Sequence, residues 1–281
     1  MSINIEYVQY LKAIRKYNHY INDASCNVTF KYYEYSGNCK IHMLTPELDK
    51  NLFANELLHI EAILEWILKN ITHYGYNDVE INYNILDIFK SHKCDGFGAS
   101  CMMLAFGLRD ILEAYGYCAR VIQACPFDPE ILDSHWVVLW YNRNLKKWVM
   151  LDPSWGAYCK KNGILLSIKE IRDMLAKNIK FDICVQADVS KSFYHFLLCR
   201  YFFHFNSFYY NGFNMFEKEK QYRINLAPLG FDAKKYFEKR YELEEQRFKQ
   251  WMKKYIIKYN NNTIYTNDSN RFWQIIDTKE E

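Results

Sequence analysis

The sequence predicts an α+β protein: a buried helix with a cysteine in its first turn, packed on an antiparallel sheet and followed by a helical C-terminal extension. Three patterns carry this. Cys101, Leu104, Ala105, Leu108, Ile111, Leu112 and Tyr115 recur at helical spacing and form one apolar stripe. The period then changes to two. Cys118, Arg120 and Ile122 alternate with Tyr117, Ala119, Val121 and Gln123, and the apolar runs His135–Tyr141 and Trp148–Leu151 flank a turn signal at Asn142-Arg143-Asn144-Leu145. Finally, Ala233 to Lys258 is highly charged, with Phe237, Tyr241, Phe248, Trp251, Met252 and Tyr255 at near-helical spacing.

Composition narrows the class. The chain has 281 residues, half of them hydrophobic, enough for a sizeable core. A net charge of +3 does not argue for nucleic acid or an anionic membrane. The nine cysteines include no C-x-x-C pair, which disfavours zinc ribbons and redox motifs. The first residues show no basic segment followed by an apolar one, so a reducing, cytoplasmic setting is expected. The aromatic run Phe193–Phe216 is broken by His195, Arg200, His204 and Asn206 and is not a membrane span.

In chain order, residues 1–21 read as a short helix with Ile5, Val8, Leu11, Ile14 and Tyr17 on one face, and 22–45 as irregular. Thr45-Pro46-Glu47 is expected to open a helix running to Asn70, with Thr45 as N-cap and Pro46 at the first position. Trp66 falls away from that helix's apolar face. A loop and short helix cover 77–90, and Ser91–Gly98 reads as a two-glycine loop. Ser100 caps the cysteine helix and Gly116 ends it. Ser167 and Glu170 form a capping box for a helix to Asn178. Gln221–Leu226 is expected as an edge strand, and the tail from Asn260 as partly disordered. Three segments follow: 1–45, an N-terminal helix and irregular stretch; 46–185, the core; 186–281, an aromatic-rich extension with a long helix packed on the core.

The hairpin supplies chemistry. With Arg143-Asn144 as the turn, Tyr141 pairs with Lys146, Leu139 with Trp148, Val137 with Met150 and His135 with Asp152. The last two side chains then lie on one face with Cβ atoms about 5 Å apart. A slip of one residue would separate them. Pro153 favours an extended Asp152. A thiol at a helix N-terminus is placed where backbone N–H groups favour the thiolate. A cysteine nucleophile needs a base, and the base needs a group that fixes its tautomer. Each residue alone also fits a structural role: a packed thiol, a satisfied strand histidine, an aspartate in a turn.

Four ordered blocks carry a resemblance. Gly98-Ala99-Ser100-Cys101, Gly116-Tyr117-Cys118-Ala119-Arg120-Val121, Asp133-Ser134-His135-Trp136-Val137-Val138 and Trp148-Val149-Met150-Leu151-Asp152-Pro153-Ser154 together resemble the transglutaminase-like superfamily of papain-like cysteine enzymes. Residues 162–172 are similar to a segment after the aspartate in bacterial members. The resemblance spans roughly residues 50–180.

It implies a papain-like, transglutaminase-like core with Cys101 as nucleophile, His135 as general base and acid, and Asp152 as orienting carboxylate. The backbone N–H of Cys101 would form part of an oxyanion hole. Trp66 is one candidate for a second donor, its alternative role being helix packing. Two features depart from the family. Gly98 stands three residues before the cysteine where many members have glycine two before. Cys94-Asp95-Gly96-Phe97 also resembles a Cys-x-Gly-aromatic start, making Cys94 a rival nucleophile.

The implied activity is thiol acyl chemistry on an amide of a peptide or protein substrate, through a thioester. Water as acceptor gives a peptidase or amidase; a primary amine gives a transglutaminase. A catalytically inactive binding or scaffold domain is the alternative. No D-x-D-x-D-G loop appears, so no calcium is expected, nor any other metal or cofactor. No nucleic-acid or membrane partner is expected, and the oligomeric state is not legible.

Overall fold

The computed structural model describes residues 2–22, 30–32, 38–75, 82–213, 222–247 and 263–274. The chain folds as a mixed α+β protein with helices on both faces of an open sheet. Its elements begin with α1 (Ser2–Lys16), β1 (Lys31–Tyr32), α2 (Asn38–Leu44), α3 (Glu56–Asn70), α4 (Ile85–Asp95) and α5 (Cys101–Ala114). Then come β2 (Ala119–Cys125), β3 (His135–Asn142), β4 (Lys147–Leu151), β5 (Ala157–Lys161), β6 (Ile164–Leu165), α6 (Ile168–Lys177), β7 (Asp182–Val185) and α7 (Lys191–Tyr201). The chain continues through β8 (His204–Phe208), β9 (Tyr210–Asn211), β10 (Arg223–Leu226), α8 (Ala233–Arg247), β11 (Thr263–Thr266) and α9 (Ser269–Phe272).

The main sheet has six strands in the order β11-β10-β8-β2-β3-β4, antiparallel except for the β10–β11 pair. Period-two alternation splits its residues between two apolar layers. Ala119, Val121, Trp136, Val138, Trp140, Val149 and Leu151 pack against α3, α4 and α5. Ile122, Ala124, Val137, Leu139, Tyr141, Trp148 and Met150 pack with residues of α1, α6 and α7 on the other side. Both faces are covered, so β2 and β3 are buried along their whole length.

The cysteine helix forms as its caps predict. Ser100 adopts an extended conformation and its hydroxyl accepts from Met103 N at 3.4 Å. Gly116, at φ 76°, follows the last turn in the left-handed region that glycine enters freely. The capping box at Ser167 and Glu170 is also present.

Other expectations are corrected. The helix expected from Thr45 begins at Glu56, capped by Asn55, whose side chain accepts from Leu58 N. Residues 46–48 and 50–52 form 3₁₀ turns instead, because Asp49 caps Asn51 N locally and Phe53 is extended. Thr45 spends its hydroxyl on Ile41 O and a hydrogen bond with Tyr115 rather than on a cap. The region read as the Ser91–Gly98 loop is helical to Asp95, where left-handed Gly96 ends α4.

In α1, Ile5 and Val8 are exposed, Tyr10, Leu11, Ala13 and Ile14 are buried, and Tyr7 is partly buried against the same layer, so the face that meets the core is rotated from the expected one. Strand β10 lies between β8 and β11 rather than at an edge. Within the tail expected to be partly disordered, residues 263–266 form β11 and 269–272 form α9, with Phe272 fully buried against the Arg120 guanidinium; residues 260–262 and 275–281 lie outside the described residues. Of the long charged helix, Phe237 packs on Cys125, while Phe248, Trp251, Met252 and Tyr255 lie outside the described residues.

Candidate active site

The hairpin register differs from the expected one by two residues. Val138 pairs with Leu151, Leu139 with Met150, Tyr141 with Trp148 and Asn142 with Lys147. The connection holds four residues because Asn142 Oδ1 accepts from Leu145 N at 2.8 Å and Lys146 takes φ 49°. His135 and Asp152 are therefore diagonal neighbours rather than directly opposite. A shift of two preserves which face each side chain occupies, so the two still meet.

His135 Nε2 donates to Asp152 Oδ2 at 2.6 Å. Asp152 is fully buried and held on every side. Tyr194 of α7 donates its hydroxyl to Oδ2 at 2.9 Å, and Ser154 N donates to Oδ1 at 2.9 Å. The aspartate's own backbone exchanges hydrogen bonds with Ala157 at 2.7 and 2.9 Å. Burial by itself would lower the His135 pKa. The charge and hydrogen bond of Asp152, with a further contribution from the Cys101 side chain, override burial and push it up to about 10. The imidazole is thus held as a cation at neutral pH.

Cys101 is the first residue of α5 and is partly exposed. Its Sγ lies 3.7 Å from the carbonyl oxygen of Ser134, the residue before His135. Cys101, His135 and Asp152 are therefore brought together. Cys94 sits exposed in the last turn of α4, at the C-terminal end of that helix. Trp66 is buried and stacks on Phe89, with ring centroids 5.6 Å apart.

The loop leading into His135 is braced by residues that sequence reasoning missed. Arg240 of α8 donates to the carbonyls of Ile131, Leu132 and Asp133, and is itself held by Glu244 at 2.7 Å. Arg200 and Tyr201 of α7 both donate to the Asp133 carboxylate, and the Tyr201 ring lies 5.8 Å from that of His135. Gln123 donates to the Ser134 hydroxyl at 2.9 Å. Tyr194, Arg200 and Tyr201 share the helix of the aromatic run, where their density hid the three polar groups. Arg240 and Glu244, an i, i+4 pair of opposite charge, carried a signal that pointed only to an exposed helix face.

Among the described residues, no three His, Cys, Asp or Glu side chains are grouped to hold a metal, and no helix is long and apolar enough to cross a membrane. No protein family and no curated protein matches the chain. Solved structures similar to it include a provisionally assigned cysteine protease from Cytophaga hutchinsonii, at 16% identity and a TM-score of 0.32, covering 57% of this chain and 56% of that one. Another is a provisionally assigned protease from Parabacteroides distasonis, at 15% identity and a TM-score of 0.28, covering 52% of this chain and 30% of that one. The chain thus spans about half the length of the first and under a third of the second. Likenesses this distant and partial single out no specific family and carry no argument about activity.

Proposed function

We propose that this protein is a cysteine-dependent enzyme of papain-like, transglutaminase-like type that acts on an amide bond. The reading rests on one observation: a buried His135–Asp152 pair beside a partly exposed thiol at a helix N-terminus. An imidazolium held by Asp152 is the counter-ion a thiolate needs, and the first turn of α5 adds its own positive end.

In the proposed reaction the Cys101 thiolate adds to the amide carbonyl, forming the S–C bond and an oxyanion. Collapse of this intermediate breaks the C–N bond. The leaving nitrogen takes a proton from His135 and departs as an amine, leaving a thioester. His135, now neutral, removes a proton from the acceptor as it adds to the thioester carbonyl, and collapse of this second oxyanion breaks the C–S bond, releasing the product and restoring the Cys101 thiolate beside the His135 imidazolium. Hydrolysis is the favoured outcome, because water needs no second binding site; a primary amine would give transamidation through the same residues.

Iodoacetamide labelling near pH 6 tests the reading. Cys101 is expected to alkylate much faster than the other thiols, and the advantage to vanish in His135→Ala. Labelling of Cys101 no faster than of exposed Cys39 or Cys94 would instead leave a non-catalytic domain. Trapping the thioester from a peptide pool would then identify the acyl donor.

A further inference from the structure

A histidine outside the three candidate residues is built into the same corner. Residues 72–74 run beside 98–99: Ala99 N donates to Thr72 O and Tyr74 N to Ala99 O, each at 2.8 Å, so that His73 pairs with Ala99. The approach requires glycine at 98, because a Cβ there would lie 2.5 Å from Tyr74 Cβ and 3.3 Å from Thr72 O. His73 is thereby pinned beside the residue two before Cys101. On its other side the ring meets Trp155 edge-on at 5.5 Å, three residues beyond Asp152. His73 therefore sits between the start of the cysteine helix and the aspartate turn.

Two properties of this ring stand out. Its Nε2 is sealed from solvent and has no hydrogen-bond partner among the described residues. Burial lowers its pKa, the nearby charge of His135 lowers it further, and Asp152 only partly opposes them, so the ring is neutral at pH 7. A neutral imidazole protonated at Nε2 is a donor with nothing to donate to. Leaving such a group unpaired is unfavourable, and a reacting group that accepts from it would relieve that penalty.

We infer that His73 is a catalytic hydrogen-bond donor, its Nε2–H acting with the backbone N–H of Cys101 to stabilise the oxyanion formed by thiolate attack. The inference rests on the proposed role of Cys101 and fills the place for which Trp66 was a candidate. No bond to His73 forms or breaks: it donates while the oxygen is negative, and its neutrality keeps the imidazole from competing with His135 as a proton source.

Two reactions of the same thiol provide the test. Alkylation by iodoacetamide needs the thiolate but passes through no oxyanion, whereas acylation by p-nitrophenyl acetate passes through one. In the full chain, His73→Phe is expected to slow acylation of Cys101 by about 10²–10³-fold and to leave its alkylation within about threefold. His73→Gln, which restores an N–H, is expected to recover at least about tenfold of the lost rate, and Trp155→Phe to change little. If His73→Phe does not fold, His73→Ala read against His73→Gln poses the same contrast.

Unchanged acylation in the His73 variants would overturn the inference. So would equal loss of both reactions, which would assign His73 to the thiolate, and so would a loss in Trp155→Phe alone. A wild-type Cys101 inert to both reagents would sink the proposed function and this inference with it, a result told apart because no variant is needed to see it.

Discussion

Replacing Asp152 by asparagine keeps the side chain's shape and removes the charge that holds His135 as a cation. In the native protein the imidazole lies at about 10 against 6.5 for a free histidine. The folded-state value is the higher one, so the stabilisation is complete below the unfolded pKa near 6.5. It falls by about 1.4 kcal/mol per pH unit above that, and is gone once the pH passes about 10. At pH 7 the distance still to travel corresponds to ~4 kcal/mol, and at pH 9 to ~1 kcal/mol. The first figure falls within the ~3–5 kcal/mol lost when one member of a buried pair is removed.

In the variant, burial acts on His135 unopposed by that charge and keeps it neutral above pH 7, so the gap between the two proteins reports the native imidazolium alone. Urea unfolding of both at pH 7, 8 and 9 should show the gap shrinking by about 1.4 kcal/mol per unit. A gap that does not change with pH, or a native His135 ring resonance titrating near 6.5, would refute the electrostatic account of the pair.

Three further outcomes are expected. Tyr194→Phe removes the hydroxyl that donates to Asp152 and should cost about 1.5–3 kcal/mol in urea unfolding, with slower iodoacetamide labelling of Cys101. Gly98→Ala places a methyl 2.5 Å from Tyr74 Cβ and should cost about 1–3 kcal/mol, with a shift of the His73 ring resonances as the 72–74 segment is displaced. Arg240→Met frees three carbonyls ahead of His135 and leaves Glu244 buried without its partner. It should cost about 3–5 kcal/mol, with hydrogen exchange at residues 131–135 accelerating more than in α5.

The sequence by itself determined what depends on neighbours along the chain. Ser100, Gly116 and the apolar stripe between them specify α5, since caps and helical spacing act over one or two turns. Alternation in 117–124 and the turn signal after Tyr141 specify two strand pairs and the face each residue occupies. That parity brought His135 and Asp152 together even though the turn proved two residues longer, because a side chain's face repeats every second residue.

Tertiary structure decided the rest. Whether Thr45 or Asn55 starts a helix depended on hydrogen bonds that Thr45 makes with Ile41 and with Tyr115, 70 residues away. Whether residues after Asn260 pack depended on an aromatic cage around Arg120, assembled from Phe30, Trp148 and Phe272. The surroundings of the candidate site — Tyr194 on Asp152, Arg240 on the 131–133 carbonyls, His73 beside Ala99 — join segments 26 to 109 residues apart. No local period encodes such meetings. They arise when the two apolar layers close on the sheet, and they carry the cysteine from a packed thiol on a helix stripe to the mouth of a charged, braced corner.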